Sequence, residues 1–318
     1  MNFQNLLSVE NSEFYLGVAF RKAKTQSDLA RLSLDRKKKK IEKSKEIELL
    51  KLDAIKDSLN GSMERILKSF PSIDNLPIFY MELIKCTLDY DSLKKSLGAV
   101  NWVIKKNSHI FSIYKEKIKK TQDLTKINQY RREFYGRISS VITQIEENLN
   151  YLEGCRKIMK KYPEIKTSIP TVAIFGFPNV GKTTLLFKLT GSKPDIDSYS
   201  FTTRSINVAY IKDNEKKIQM LDTPGTLNRF NKMNNIEKQA FLALKYLVET
   251  IVYVFDVTEP YPLEEQEKLL EAIKPLDKKI LVYFSKSDIV DKEKMDSFLI
   301  KDAFKEPESL KKEILKLV

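Results

Sequence analysis

The chain has 318 residues, enough for two ordinary domains, and contains no run of about 18 uninterrupted apolar residues that would predict a membrane-spanning helix. Its only cysteines, Cys86 and Cys155, and its single histidine, His109, argue against a Cys/His metal centre. We therefore expect a cytoplasmic protein with reduced thiols.

The net charge of +13 is concentrated in one half of the chain. Residues 1–168 contain 33 Lys and Arg against 21 Asp and Glu, whereas residues 169–318 contain 23 against 22. This asymmetry favours a polyanionic partner for the first half, with nucleic acid the first candidate and a membrane surface the second. A solvated, lysine-rich surface would produce the same balance.

The first half has the pattern of an all-α domain. Pro71 and Pro77 break the helical pattern, Asp91 is a candidate N-cap, and the basic run at 36–40 is expected to face solvent or a phosphate backbone. Apolar residues recur every three or four positions, which predicts an antiparallel helical bundle over 1–168. The predicted helices cover 27–70 (as one or two helices), 78–90, 91–120 and 123–161.

The second half alternates short apolar strands with helices. Such alternation predicts a mainly parallel sheet covered on both faces, in an α/β domain over 169–318. The predicted strands are 172–175, 205–211, 218–221, 251–255 and 280–284, and the predicted helices are 182–189, 236–247, 264–273 and 309–318.

Residues 176–183, G-F-P-N-V-G-K-T, have the form of a phosphate-binding P-loop between a strand and a helix. Lys182 is expected to neutralise phosphate charge during the reaction, and the Thr183 hydroxyl to bind Mg²⁺. The nucleotide-contacting residues predicted here are Phe177, Pro178, Asn179, Val180, Gly181, Lys182, Thr183 and Thr184.

Two further motifs have the spacing of a nucleotide switch. Asp222 begins D-T-P-G after a predicted strand and is expected to orient Mg²⁺, while the Gly225 amide is expected to contact the γ-phosphate. Between this motif and the P-loop lies F-T-T at 201–203, where Thr203, with Thr202 as the alternative, would complete the Mg²⁺ shell in the triphosphate state.

The base-recognition signal is S-K-S-D at 285–288, which has the shape of the guanine-binding N-K-x-D motif. Asp288 can accept hydrogen bonds from guanine N1–H and N2–H₂, and the Lys286 stem can cover the base. Ser285 stands where that motif has asparagine, so we expect guanine preference with reduced affinity. The alternative is an ordinary surface loop.

These motifs together resemble the Obg-type translation-factor GTPases. The match is closer to the nucleolar GTP-binding protein (Nog) family in a short, archaeal-like form, because I-E-K-Q-A at 236–240, F-P-x-I-D at 70–74 and R-E-F-Y-G-R-I at 132–138 are typical of that family. The resemblance implies an α/β P-loop GTPase domain preceded by an all-α helical bundle. It also implies GTP or GDP with Mg²⁺, and a monomer that assembles the large ribosomal subunit by docking its helical domain on ribosomal RNA, without a membrane.

Two further features depart from the pattern. Thr226 and Leu227 follow Gly225, so the glutamine that orients water in Ras-like enzymes is missing, and we expect slow hydrolysis. An activating partner, or a K⁺ ion near Asn179, could supply catalysis. The last guanine-contact loop should follow 298–300, but 301–303 fits it poorly. A nucleotide-gated RNA-binding scaffold with little hydrolysis, and a membrane-surface GTPase, stay open as alternatives.

Overall fold

The computed structural model describes residues 3–33, 39–166, 168–191, 206–213, 216–226, 235–258, 261–290 and 302–317. Its helices are α1 (Ser12–Ser33), α2 (Lys40–Ser69), α3 (Ile78–Thr87), α4 (Tyr90–Lys120), α5 (Leu124–Thr143), α6 (Glu146–Met159), α7 (Lys182–Thr190), α8 (Asn235–Tyr246), α9 (Leu263–Ile273) and α10 (Pro307–Lys316). Its strands are β1 (Thr171–Phe175), β2 (Asn207–Asp213), β3 (Lys216–Asp222), β4 (Thr250–Asp256) and β5 (Lys279–Ser285).

The chain forms two compact units that are not sequential. The helical unit comprises Phe3–Ile73 and Leu88–Lys160. The sheet unit comprises the described residues of Asp74–Thr87 and Lys161–Val318. Helix α3 therefore belongs to the unit that contains the sheet. The predicted division at 168/169 places this helix in the helical domain instead.

The helical unit is held together by apolar residues at helical spacing. Leu52, Ile55, Leu59 and Met63 of α2 are completely buried, and so are Val100 and Val103 of α4. Asp89, not Asp91, caps α4: its carboxylate accepts from the backbone amides of Asp91 and Ser92 at 3.1 and 3.2 Å. The capping residue lies just before the helix, where the first backbone amides lack partners.

The structure corrects two predicted helices. Helix α1 begins at Ser12, well before the predicted start at residue 27. The predicted helix over 123–161 is two helices, because the Ile145 amide bonds to the Ile142 carbonyl in a tight turn and Ile145 has ψ 14°. Ile145 and Leu149 are nonetheless buried on the same apolar stripe, so hydrophobic spacing did not reveal the break.

The sheet has the order β2-β3-β1-β4-β5 within the described residues. Strand β2 runs antiparallel to β3, and all other neighbours are parallel, which confirms the mainly parallel sheet. Every residue of β1 and β4 is buried, as expected for central strands covered on both faces.

Helix α3 packs against α8 in the sheet unit and is tied to the segment before β1. The Tyr80 hydroxyl donates to the Pro163 carbonyl at 2.9 Å and accepts from the Ile165 amide at 3.0 Å. Phe79 and Tyr80 are buried, so both apolar contact and hydrogen bonding hold this helix in place.

Candidate nucleotide-binding site

The predicted site residues converge at one edge of the sheet. Strands β1, β3, β4 and β5 are parallel, so their carboxyl ends meet at the same edge. The P-loop follows β1, Asp222 ends β3, and Ser285 ends β5. Ligands of open parallel sheets bind at this edge, in the crevice beyond the carboxyl ends of the strands.

The P-loop turns tightly between β1 and α7. Gly176 has φ +149°, and a Cβ atom there would lie 2.6 Å from the Val254 carbonyl oxygen. Gly181 has φ +90° and Asn179 has φ +60°, so the chain needs left-handed backbone at both positions. Phe177 and Val180 are buried, whereas Asn179 and Thr184 are exposed. The loop thus leads into the N-terminus of α7, where free backbone amides attract anions.

Lys182 is buried at the centre of this loop, with 6% of its surface exposed. Its Nζ donates to the carbonyl oxygens of Gly176 and Phe177 at 3.2 and 2.5 Å. Burial lowers the pKa of Lys182 to about 8, and the Asp222 carboxylate opposes that shift. A phosphate in the loop would supply the negative charge that the carbonyl dipoles offer only in part.

Thr183 and Asp222 form the candidate Mg²⁺ site. The Thr183 hydroxyl donates to Asp222 Oδ2 at 2.7 Å, and Asn207 Nδ2 donates to the same oxygen at 3.2 Å. A hydroxyl and a carboxylate at this spacing are the hard oxygen ligands that Mg²⁺ prefers, so the residues fit the ion. Thr202 and Thr203, the other predicted switch residues, lie outside the described residues.

The D-T-P-G segment lies directly against the P-loop. A Cβ atom on Gly225 would be 2.4 Å from Pro178 Cα, so only glycine fits there. The Thr226 amide donates to the Gly176 carbonyl at 3.2 Å, and its side chain is 1% exposed. Thr226 is therefore held inside the protein, and its hydroxyl donates to the Pro224 carbonyl at 3.4 Å.

The predicted base loop begins beside the P-loop. Ser285 is buried, and its hydroxyl donates to the Phe255 carbonyl at 2.9 Å. A Cβ atom on Gly181 would lie 3.7 Å from Ser285 Cβ, which shows how closely the two loops approach. Lys286 has φ +57°, and Asp288 is exposed.

Sequence reasoning missed three contacts of this site. Asp256, at the end of β4, pairs with Lys286, Asn207 binds Asp222, and the Tyr261 ring lies 4.9 Å from the Phe177 ring. A signal existed for Asp256, which is an acid directly after a buried apolar strand, as Asp222 is. Nothing comparable marks Asn207 or Tyr261, because their partners are distant in sequence.

A strand-like contact beside β5 precedes the last helix. Phe304 forms a parallel bridge with Tyr283 of β5, and α10 begins three residues later. Burial raises the pKa of the Tyr283 hydroxyl, and the charges of Glu306 and Asp288 raise it further. Residues 305–306, which follow that bridge, therefore lie beyond the end of β5; the predicted run 298–300 falls outside the described residues.

Two family models match the chain in sequence. Residues 3–166 match the NOG1 N-terminal helical domain. Residues 171–286 match the 50S ribosome-binding GTPase domain. The chain belongs to the NOG1 family. The family resemblance and the fold class, a helical domain followed by a P-loop GTPase domain, are thereby confirmed.

Relatives of this NOG1-family chain include one short archaeal protein and several longer ones. It is 39% identical over 257 residues to the uncharacterized protein MJ1408 of Methanocaldococcus jannaschii, covering 80% of this chain and 72% of that protein. It is 33% identical to nucleolar GTP-binding protein 1 of Saccharomyces cerevisiae, covering 73% of this chain and 37% of that protein. The corresponding protein of Drosophila melanogaster is 29% identical, with 92% and 45% covered. The chain thus spans less than half of these nucleolar relatives.

Similar solved structures include an Era variant of Aquifex aeolicus bound to GDP and AlF4⁻, at 28% identity and a TM-score of 0.36, covering 46% of this chain and 56% of that one. The FeoB G-domain from Methanococcus jannaschii is 21% identical, with a TM-score of 0.35, and 46% and 96% are covered.

Proposed function

We propose that this NOG1-family chain binds GTP and GDP with Mg²⁺ and hydrolyses GTP, slowly unless activated. One observation supports this most: Lys182, Thr183, Asp222 and the base loop meet at one edge of the sheet, although Lys182 and the base loop lie more than 100 residues apart in sequence. In the proposed complex Lys182 neutralises β- and γ-phosphate charge, Thr183 and Asp222 hold Mg²⁺, and Asp288 selects guanine. Bound Mg²⁺ would neutralise phosphate charge as a Lewis acid.

The environment of Thr226 supports slow intrinsic hydrolysis. Its amide is bonded to the P-loop and its side chain is buried, so it does not offer a group to orient an attacking water. We therefore expect catalysis to depend on a group from the partner. A K⁺ ion near Asn179 is the second candidate, since that residue is exposed in the P-loop.

We further propose that the helical unit binds ribosomal RNA during assembly of the large ribosomal subunit, and that the chain acts as a monomer in the cytoplasm. Lys45 Nζ donates to the Lys119 carbonyl at 2.8 Å, which brings the start of α2 beside the end of α4. Lysines concentrate at this end, which we call the basic end; it comprises Lys39, Lys40, Lys43, Lys45, Lys117, Lys119, Lys120 and Lys126. Lys39 and Lys40 belong to the predicted basic run at 36–40, of which residues 36–38 lie outside the described ranges.

No helix among the described residues is both long enough and apolar enough to cross a membrane. This finding does not test the surface-bound alternative, in which the basic end would contact anionic lipid. Vesicle flotation provides that test. Binding to anionic vesicles without binding to large-subunit precursor particles would make lipid, and not RNA, the partner of the basic end.

Cosedimentation with purified large-subunit precursor particles tests the proposed role. We expect binding that differs between GDP and a non-hydrolysable GTP analogue, and single-turnover hydrolysis that the particles accelerate. Comparing the rates of hydrolysis in K⁺ and in Na⁺ tests whether a K⁺ ion near Asn179 supports catalysis. Nucleotide-dependent binding without turnover under any condition would favour the scaffold alternative, which the buried Thr226 and the replacement at Ser285 support.

Charge reversal locates the RNA contact. Replacing Lys119 and Lys120 by Glu should weaken RNA binding and reduce the magnitude of the slope of log affinity against log salt by about 1.4–1.8, since each lost phosphate contact removes about 0.7–0.9. The matched control reverses Lys94 and Lys95 near the start of the same helix. Equal losses in both variants would show that only net charge matters.

Base selection has its own test at Asp288. Asp288→Asn should shift nucleotide preference from guanine toward xanthine, because an amide can donate where the carboxylate accepted. Asp277→Asn, an exposed acid in the same unit, is the control. Competition binding with GDP and XDP measures the change, and an unaltered preference would place base recognition elsewhere.

A further inference from the structure

Lys286 of the predicted base loop is held by a carboxylate that lies outside every predicted motif. Its Nζ donates to Asp256 Oδ2 at 2.5 Å, and the Asp256 side chain is completely buried while that of Lys286 is 38% exposed. Asp256 ends β4 and Lys286 directly follows β5; these strands are parallel neighbours, and Asp256 pairs in register with Ser285. The ion pair therefore joins the end of β4 to the base loop.

Asp256 is itself fixed by several hydrogen bonds. Its Oδ1 accepts from the Thr258 amide at 3.0 Å and from the Thr258 hydroxyl at 2.6 Å. The Asp256 amide donates to Gln266 Oε1 at 2.9 Å, and Gln266 Nε2 donates back to the Asp256 carbonyl at 3.2 Å. Gln266 is completely buried. The carboxylate thus occupies one defined position relative to the sheet.

A buried carboxylate is costly unless it is paired and hydrogen-bonded. Here the paired cation is the one residue of the loop whose stem was expected to cover the base. Both ends of that stem are constrained, because the backbone of Lys286 has φ +57° and its ammonium group is bonded to Asp256. A long side chain without such an anchor would lose considerable rotamer freedom on contacting a ligand.

We propose that Asp256 is a positioning residue for guanine-nucleotide binding, acting through Lys286, and that Thr258 supports it. Asp256 holds the ammonium group so that the methylene stem of Lys286 is already placed at the base site. The inference rests on the proposed function, since it requires that this loop binds the base. It adds a residue from β4 to a site otherwise formed by the P-loop, β3 and the 285–288 loop.

A double-mutant cycle with a fluorescent GDP analogue tests the proposal on the full chain. Asp256→Asn should weaken binding by roughly tenfold, as expected for a lost hydrogen bond to a charged group. Lys286→Met keeps the apolar stem and removes the charge that Asp256 holds. In the Lys286→Met background, Asp256→Asn should therefore change affinity less than twofold, because the two residues act as one pair.

Two further variants complete the test. Thr258→Val leaves the charges intact but removes one donor to Asp256, and should weaken binding by a few fold only when Lys286 is present. Glu271→Gln disrupts an exposed ion pair with Lys274 in the same unit and should leave affinity unchanged. Thr258→Val keeps the test decisive should Asp256→Asn fail to fold.

Equal losses from Asp256→Asn in both backgrounds would overturn the proposal, since Asp256 would then only support the fold. No loss in either background would also overturn it. If the wild-type chain bound no GDP analogue, the proposed function itself would fail, which is a separate outcome from the cycle.

Discussion

At the scale of single residues, the tightest constraint in the site is the contact between Gly225 and the P-loop. An added Cβ would approach Pro178 Cα to 2.4 Å and Pro178 N to 2.6 Å, and both are backbone atoms that cannot swing aside. Six other glycines, including Gly136, have open space around the same hypothetical atom. Steric effects of Gly→Ala should therefore differ sharply between these positions.

We predict that Gly225→Ala destabilises the protein by about 1–3 kcal/mol, as overpacking does, and weakens triphosphate binding more than diphosphate binding. Urea unfolding and nucleotide titration measure both. Gly136→Ala in the middle of α5 is the control and should stabilise by about 0.5–1 kcal/mol. A Gly225→Ala protein with unchanged stability would show that D-T-P-G is free to move from the P-loop.

Lys182 predicts a pH dependence of the nucleotide-free protein. Its folded-state pKa of about 8 lies below its ordinary 10.5, so between those values the unfolded chain holds a proton that the native state has lost. The free energy of unfolding should then rise with pH from about 8 to 10.5, on the order of 2–3 kcal/mol, and gain nothing from Lys182 below pH 8.

Lys182→Met should remove this rise. Because the two proteins share all their other titratable groups, the difference between their curves isolates the contribution of Lys182. Chemical denaturation across the window measures the difference. Parallel curves for the two proteins would show that the Lys182 pKa is not depressed. Added GDP should flatten the wild-type curve, because phosphate favours the charged lysine.

At the scale of elements, α3 shows where sequence patterns stop being informative. Its apolar residues predicted a helix, and the helix formed over Ile78–Thr87. Nothing in that pattern indicated which neighbour it would pack against, because an apolar face fits any apolar surface of suitable shape. Its attachment to the sheet unit depends on α8 and on the two hydrogen bonds of the Tyr80 hydroxyl.

Tyr80→Phe should therefore destabilise the sheet unit by about 1–3 kcal/mol, since it leaves a buried amide and a carbonyl without their partner. Thermal unfolding, monitored by a signal that reports on the sheet unit, measures this loss of stability. Tyr246→Phe is the matched control: the ring that Lys245 contacts is retained, and the change should stay within about 0.5 kcal/mol. An unchanged stability of the Tyr80→Phe protein would show that water replaces both hydrogen bonds.

The bounds of the helices and strands also show where sequence patterns are informative and where they are not. The strands and helices after residue 169 were predicted to within a few residues, because strong apolar runs and glycine or proline breaks mark them. The turn at Ile145 was missed, since its backbone departs from the helix while its side chain stays on the apolar stripe. Periodicity records which face is buried and does not record a local change in backbone angles.

At the scale of the whole molecule, the two units should respond differently to nucleotide. A ligand stabilises the unit that binds it by about 2.7 kcal/mol at a hundred times its dissociation constant. The sheet unit contains the predicted site and also Asp74–Thr87, whereas the helical unit contains α1, α2 and α4 to α6.

Hydrogen exchange with and without saturating GDP provides the whole-molecule test. We expect amides of α3 to slow together with those of β1 and β4, by up to about a hundredfold, while amides of α1 stay unchanged. If α3 instead exchanged with α1 and ignored GDP, its assignment to the sheet unit would be wrong. Exchange of the α1 and α3 amides is compared within the same sample, so α1 serves as the control for α3.

The amino-acid sequence by itself determined the ligand class and the two-part organisation of this protein. The P-loop, D-T-P-G and S-K-S-D motifs are short stretches whose chemistry depends on adjacent residues, and the family models confirm the GTPase domain they predicted. Charge counting likewise marked the basic half, because it needs no coordinates.

Only the tertiary structure decided what is adjacent across the sheet and between helices. It placed Asp256 on Lys286, Asn207 on Asp222, α3 in the sheet unit and Phe304 beside β5. These contacts join residues that are far apart along the chain, and their geometry depends on strand register and packing. Burial, which depresses the pKa of Lys182, is also a property of the folded chain alone.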